Sequence, residues 1–162
     1  HGTQCIESGI FNGLDIYGNE NCKDLSRFQE LFLFTKTKNF KTKVHIGEFS
    51  DYETIEKAIE LLEPNEIQHG IRASESYKTM NMIVERGIRV NVCPQSNISL
   101  GATKNFHTHP IRKLFDSGIK LTINTDDFLL FNATLTDQYV NLIERDIFTL
   151  KEINEIRKNS LL

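Results

Sequence analysis

Lys43-Val44-His45-Ile46-Gly47-Glu48 is the stretch on which the fold turns. A short apolar run ends in a histidine, a glycine and a glutamate, the signature of a buried strand with chemistry at its carboxyl end. The same grammar recurs down the chain. Ile67-Gln68 runs into His69-Gly70, and Val90-Asn91-Val92 runs into Cys93-Pro94-Gln95-Ser96-Asn97. Leu121-Thr122-Ile123 runs into Asn124-Thr125-Asp126-Asp127. The candidate strands are Phe11 to Ile16, Lys43 to Ile46, Glu66 to His69, Arg89 to Cys93 and Lys120 to Asn124. Helical spacing separates them: Ile55, Ala58, Ile59 and Leu62 share one face, and Tyr77, Met80, Ile83 and Val84 share another that Gly87 ends. Pro110 opens a third helix that carries Ile111, Leu114 and Phe115 and stops at Gly118. Thr149 and Glu152 form a capping box for a last helix through Leu161.

Strand following helix at a steady interval is the βαβ rhythm of a parallel sheet. Two architectures satisfy it, a doubly wound open sheet and a (β/α) barrel. Neither phosphate-binding glycine fingerprint of the first, G-x-G-x-x-G or G-x-x-x-x-G-K-[ST], occurs. Functional groups at the carboxyl ends of successive strands are how a barrel builds an active site. The candidate strands are nevertheless fewer than the eight of a closed barrel.

Composition narrows the function classes. Hydrophobic residues at 39% and charged residues at 25% exclude a disordered chain, and 162 residues suffice for one domain with its own core. Nineteen basic against twenty-two acidic side chains leave a net charge of −3, which argues against an electrostatic nucleic-acid binder. No apolar run approaches the ~20 residues of a membrane span, and no signal peptide is seen at the start. Cys5, Cys22 and Cys93 share no zinc-ribbon spacing, so they are expected to be reduced thiols of a cytoplasmic protein.

Three constellations can carry chemistry. His45 and Glu48 can place an imidazole and a carboxyl in one cleft, one to bind a metal and the other to move protons. They read equally well as a buried strand histidine and a solvated glutamate. Asp126-Asp127 are adjacent carboxylates after a buried strand, costly to bury without a cation, and alternatively a helix N-cap with a solvated partner. His69, alone, reads as a satisfied core histidine. Three strand ends, taken in chain order, supply His, His and Asp, the ligand types a borderline cation prefers, which weighs against coincidence. His107-Thr108-His109 has H-x-H spacing but runs into Pro110, so it is expected to form a loop and helix entry rather than a metal site. Cys93, followed by Pro94, is expected to be a small buried hydrophobe.

These residues, in order, resemble the metal-dependent adenosine deaminase family of the amidohydrolase superfamily. The matching stretches are Gly13-Leu14-Asp15-Ile16-Tyr17-Gly18-Asn19-Glu20, His45-Ile46-Gly47-Glu48, His69-Gly70-Ile71-Arg72-Ala73, Val92 to Asn97, His109-Pro110-Ile111 and Asn124-Thr125-Asp126-Asp127. The resemblance implies an α/β fold that is the carboxyl-terminal part of a TIM-type (β/α)8 barrel, residues 1–162 forming one incomplete barrel domain of strands four to eight. It implies that His45 and Asp126 are zinc ligands, that Glu48 protonates purine N1 and that His69 orients the attacking water. It further implies that Asp127 accepts from the N7 side and that the Gly18 backbone donates to N3. The implied reaction is hydrolysis of adenosine to inosine and ammonia; deamination of adenine or a modified adenosine, or a non-catalytic module keeping the fold, are the alternatives. The P-C-x-x-C zinc site of cytidine-type deaminases does not occur.

Departures from the family pattern are informative. Phe128 stands where the family often has proline, and Ile46 replaces a usually smaller residue. The family's first-strand H-x-H, which supplies two further zinc ligands, has no counterpart before Gly13. His45 and Asp126 alone fall short of the three protein ligands of a catalytic zinc site. This chain by itself is therefore expected to bind zinc weakly and to be inactive or nearly so, with exposed barrel edges that self-association would bury. Its expected partner is a small purine nucleoside, with no nucleic acid and no membrane.

Overall fold

The chain, described over residues 2–21 and 24–161 in a computed structural model, forms a parallel sheet with helices packed along it. Cys22 lies outside the described residues. The strands are β1 (Gly13–Ile16), β2 (Lys41–Ile46), β3 (Glu66–His69), β4 (Arg89–Val92) and β5 (Lys120–Ile123). The helices are α1 (Gly2–Glu7), α2 (Gln29–Thr37), α3 (Tyr52–Leu62), α4 (Tyr77–Glu85) and α5 (Pro94–Ser99). They continue with α6 (Ile111–Asp116), α7 (Phe128–Phe131), α8 (Leu135–Glu144) and α9 (Leu150–Asn159).

Strand order in space is β1-β2-β3-β4-β5, every pair parallel. That order settles the choice between the two parallel architectures. A doubly wound sheet reverses its winding at a switch point, which puts helices on both faces. Here each crossover advances one strand in one direction, which keeps the helices on one face and curls the sheet as in a barrel. The chain is therefore α/β and builds part of a TIM-type barrel. β1 and β5 each pair with one strand among the described residues.

The helix-side core follows from period-2 alternation. Val44, Ile67, Val90 and Leu121 stand in register across four strands, all essentially inaccessible. Ile55, Ala58 and Ile59 of α3, Met80 and Ile83 of α4, and Ile111 and Leu114 of α6 pack in the same core. Burying each such aliphatic side chain contributes ~1.5–3 kcal/mol.

Local signals explain the helix ends. Asp51 caps α3 by accepting from the Thr54 N–H at 2.8 Å. The Thr149–Glu152 capping box opens α9, whose last helical residue is Asn159 rather than Leu161. A second box, Thr134 with Asp137, opens α8, which has no counterpart among the helices expected from sequence. One expected face is corrected. Tyr77 and Val84 of α4 are 77% and 41% exposed, and the buried side is Thr79, Met80 and Ile83. Thr79 can be buried because its hydroxyl donates to Glu56 of α3 at 2.7 Å.

The opposite face of the sheet is polar. Lys43, Glu66, Arg89 and Lys120 stand in register as one layer, and His45, Gln68, Asn91 and Thr122 as the next toward the carboxyl ends. Glu66 is the hub of the lower layer, taking Arg89 at 2.6 Å, Lys43 at 3.3 Å and the Asn91 amide at 2.8 Å. Asn91 in turn accepts from the Thr122 hydroxyl at 2.6 Å. A cleft of about 690 Å³ opens at the amino ends of the strands, lined among others by Lys41, Lys43, Glu66, Arg89 and Lys120.

Candidate active site

The loop after β2 is built around a carboxylate from elsewhere. Four consecutive backbone N–H groups converge on Glu20: Gly47 at 2.8 Å, Glu48 at 3.1 Å, Phe49 at 3.2 Å and Ser50 at 3.0 Å. The Ser50 hydroxyl adds a fifth donor at 2.8 Å. Successive N–H groups pointing inward form a concavity suited to an anion. The turn needs glycine at its first position, because Gly47 has φ +79° and a Cβ there would strike Ile55. So clamped, the loop holds Glu48 only 5% exposed, its Oε1 taking the Asn97 amide at 2.5 Å.

His69 and Asp126 depend on backbone conformations that side chains other than glycine rarely adopt. Their φ angles are +65° and +58°. Each costs on the order of 1–3 kcal/mol, a cost that clusters at functional positions. The conformation redirects His69. By register it pairs with Ile46, whose side chain is on the helix face, yet the His69 ring lies 5.6 Å from the His45 ring and lines the cleft. Asp126 is exposed toward the same cleft, with Ser96 donating to its Oδ2 at 2.6 Å.

His45, His69 and Asp126 line two adjoining cavities of about 420 and 520 Å³. The first is completed by Cys93 and the second by Tyr17, Gly18 and Glu48, among others. Four of the expected site residues, His45, Glu48, His69 and Asp126, are thus gathered around one cleft, and Gly18 joins them at φ +129°. Asp127 is placed differently. It is exposed, caps α7 by accepting from the Leu130 N–H at 3.3 Å, and lines neither cavity.

Electrostatics separates the groups by role. Burial pushes the Glu48 carboxyl up, outweighing the Asn97 hydrogen bond, and the nearby Glu20 and Asp126 charges raise it further, to about 7. Burial lowers His69 below the ordinary histidine value despite the pull of Asp126, so it is neutral at pH 7. Burial opposes the charge on His45 as well, but the Asp15 carboxylate, 3.0 Å from Nδ1, more than offsets it and leaves the pKa raised. A carboxyl whose pKa is raised to about 7, 3.5 Å from an uncharged imidazole, can exchange a proton with a bound reactant.

The donor set fits a borderline divalent cation in part. Asp15 occupies His45 Nδ1, and Nε2 has no hydrogen bond among the described residues, the arrangement by which a carboxylate orients a metal-ligating histidine. Ser96 holds Asp126 Oδ2, and Oδ1 has no hydrogen-bond partner among the described residues. Donor atoms of His69, Cys93 and Asp126 lie within 4.8 Å of one another. Burial, aided by the Asp126 and Glu48 charges, drives the Cys93 thiol far above its ordinary range, so it stands as a neutral S–H and a poor ligand. Cys93 is buried, as expected for a small hydrophobe at a strand end.

Two participants went unrecognised in the sequence. Glu20, at the end of the Gly13–Glu20 stretch, organises the loop carrying Glu48. His109 belongs to the H-x-H spacing, which reads as a loop and helix entry. Residues Phe106–Thr108 form a 3-10 turn into α6, as a loop and helix entry should. His109 itself is buried, however, and its Nε2 lies 3.1 Å from Asn97 Oδ1, directly behind Glu48 and His69. No helix among the described residues is long and apolar enough to cross a membrane.

Comparison with known proteins places this geometry. The adenine deaminase of Arthrobacter aurescens superposes with a TM-score of 0.89 at 24% identity, over 98% of this chain and 49% of that one. An amidohydrolase of Burkholderia ambifaria, solved with bound Zn, superposes with a TM-score of 0.82 at 22% identity, over 98% and 46%. The adenosine deaminase of Clostridium acetobutylicum is 34% identical over 148 residues, 91% of this chain and 44% of that protein. The chain spans about half the length of the curated relatives it matches. The family model for adenosine deaminase matches residues 3–162, so the chain belongs to the adenosine deaminase family.

Proposed function

We propose that this chain is the carboxyl-terminal part, strands four to eight, of a zinc-dependent purine aminohydrolase that converts adenosine and water to inosine and ammonia. The observation that carries the reading is Glu48: a buried carboxyl with its pKa raised to about 7, hydrogen-bonded to Asn97, beside a neutral imidazole at the rim of a nucleoside-sized cleft. At neutral pH such a carboxyl is available in its protonated form. It can give its proton to N1 of a purine ring, which lets ring electron density shift as C6 becomes tetrahedral. His69, uncharged, can hold the attacking water by a hydrogen bond without repelling a developing positive charge. Gly18, which lines the second cavity, would give its backbone N–H to N3 in this reading. Asp127, whose Oδ1 caps α7, would have to turn toward the cleft to accept from the N7 side.

His45 Nε2 and Asp126 would hold the zinc ion, and the remaining ligands would come from outside this chain. When bound, zinc supplies Lewis acidity that activates water at neutral pH. Two protein ligands would fall short of the three or more usual at a catalytic zinc, so the chain alone is proposed to bind zinc weakly and to turn over little or no adenosine.

The test is metal content and turnover. The chain, and a longer protein that adds three N-terminal βα units, are purified without chelator and assayed for zinc and for loss of adenosine or adenine. Zinc at about one equivalent and adenosine turnover only in the longer protein support the reading, and Asp126→Ala should lower its zinc content. Turnover of adenine with adenosine untouched would overturn the substrate assignment. Stoichiometric zinc and turnover in this chain alone would overturn the incomplete-site argument.

A further inference from the structure

Behind Glu48 and His69 runs a chain of hydrogen bonds that begins at a main-chain amide. The Ile111 N–H, at the start of α6, points at His109 Nδ1 at 3.1 Å. A backbone N–H can only donate, so Nδ1 must accept. His109 is then neither an imidazolium nor the Nδ1–H tautomer, and its one proton sits on Nε2. That nitrogen faces Asn97 Oδ1 at 3.1 Å, so the histidine donates and the amide oxygen accepts.

Asn97 has no accessible surface, so its amide orientation is dictated by these partners. With Oδ1 committed to His109, the NH2 end faces the other way. It reaches Glu48 Oε1 at 2.5 Å and His69 Nδ1 at 3.2 Å, two acceptors for two N–H bonds. A flipped amide would set its NH2 against the His109 Nε2–H, donor against donor. His69 Nδ1 therefore accepts, and neutral His69 carries its proton on Nε2. The competing arrangement is a proton on His69 Nδ1 donated to Glu48 Oε1, which lies 3.5 Å away.

We propose that His109 and Asn97 are positioning residues that act as a tautomer lock, passing the polarity of the Ile111 backbone N–H to His69 and to Glu48. The lock leaves the His69 Nε2–H as a fixed donor and holds Glu48 Oε1 in place without a charged partner. The relay stands on hydrogen-bond geometry alone; its bearing on catalysis rests on the reading of Glu48 and His69 given above. Residues separated by twelve and by twenty-eight positions in sequence thus become one device.

The experiment is long-range proton–nitrogen NMR on the chain labelled with ¹⁵N-histidine and freed of metal by chelation. His69→Gln and His109→Gln serve to assign the signals. The expected result is the Nε2–H tautomer for both His69 and His109 in the parent chain. In His109→Phe, which keeps the ring volume and removes the donor, Asn97 is released and His69 should shift to a mixture of tautomers. Asn97→Ser, whose hydroxyl can donate or accept, should do the same and covers the case in which His109→Phe fails to fold. Nδ1–H on His69 in the parent, or an unchanged Nε2–H in a folded variant, overturns the lock. Carried into the longer protein, either variant should lower kcat about 10- to 100-fold with little change in KM. A locked His69 in a longer protein that deaminates nothing would overturn the functional reading and leave the lock standing. Full deaminase activity with an unlocked His69 would do the reverse.

Discussion

Glu66 and Glu48 are two glutamates of nearly equal burial, 6% and 5% exposed, at opposite ends of the same sheet. Their chemistry differs because their partners differ. At the amino ends, burial raises Glu66, but the Asn91 hydrogen bond and the Lys43 and Arg89 charges outweigh it and hold its pKa below the ordinary value. At the carboxyl ends, Glu48 has one amide for a partner and two carboxylates, Glu20 and Asp126, for neighbours, and its pKa rises to about 7. The same residue type, equally buried, is held as an anion at one end and has its pKa raised to about 7 at the other. Burial supplies the perturbation, and the sign of the neighbouring charge decides what it is used for.

The largest test of that contrast is catalytic. In the longer protein, Glu48→Gln should lower kcat by about 10²- to 10⁴-fold while zinc content is kept. Activity within tenfold of the parent would break the assignment. Glu66→Gln should leave turnover per folded molecule nearly unchanged.

The two carboxylates should also give pH dependences of opposite sign. The folded Glu48 carboxyl holds its proton to about pH 7, whereas the unfolded one releases it near 4.5. The native state binds the extra proton between those values, so this group's stabilisation falls as pH rises from about 4.5 through 7, by on the order of 3 kcal/mol. Glu66, with its pKa lowered, contributes stability above 4.5 that is lost as pH falls through its folded value. Denaturant unfolding of the chelated chain across pH 3 to 8 checks both: Glu48→Gln should flatten the neutral limb only, and Glu66→Gln the acid limb only.

Smaller effects sharpen the comparison. At pH 7, Glu66→Gln leaves Arg89 and Lys43 facing a neutral amide, and because both cations are partly exposed the loss should be about 2 kcal/mol. A fall of about 4–8 °C in Tm would report it. Glu20→Gln removes the charge at the centre of the Gly47–Ser50 amides. It should cost about 1–2 kcal/mol, speed hydrogen exchange at those four amides, and lower the Glu48 pKa, since Glu20 helps to raise it. Unchanged exchange would show that the loop is held without it.

Much of this was legible before folding. Strand ends ending in His, Glu and Asp announced a barrel site, and the helices of Ile55 to Leu62, Ile111 to Phe115 and Thr149 onward announced themselves by period and caps. α8 was hidden because its capping box uses Asp and its buried face includes a glutamine, Gln138. Glu20 was hidden because its partners are backbone amides 27 to 30 residues away, which carry no side-chain signature. His109 was hidden behind a misleading pattern, since H-x-H spacing suggests a metal and its real partner is an amide.

The sequence by itself determined which residues are apolar, where the strands and most helices lie, and which groups stand at strand ends, because alternation and helical period are local properties of the chain. Only the tertiary structure decided that the strands follow one another without a switch point. The left-handed φ of His69 and Asp126 belongs there too, since it turns a ring off the helix face and a carboxylate into the cleft. So does the pairing of Glu66 with cations and of Glu48 with an amide. Those outcomes depend on which side chains meet across long separations, and a carboxyl's environment exists only once the chain has closed around it.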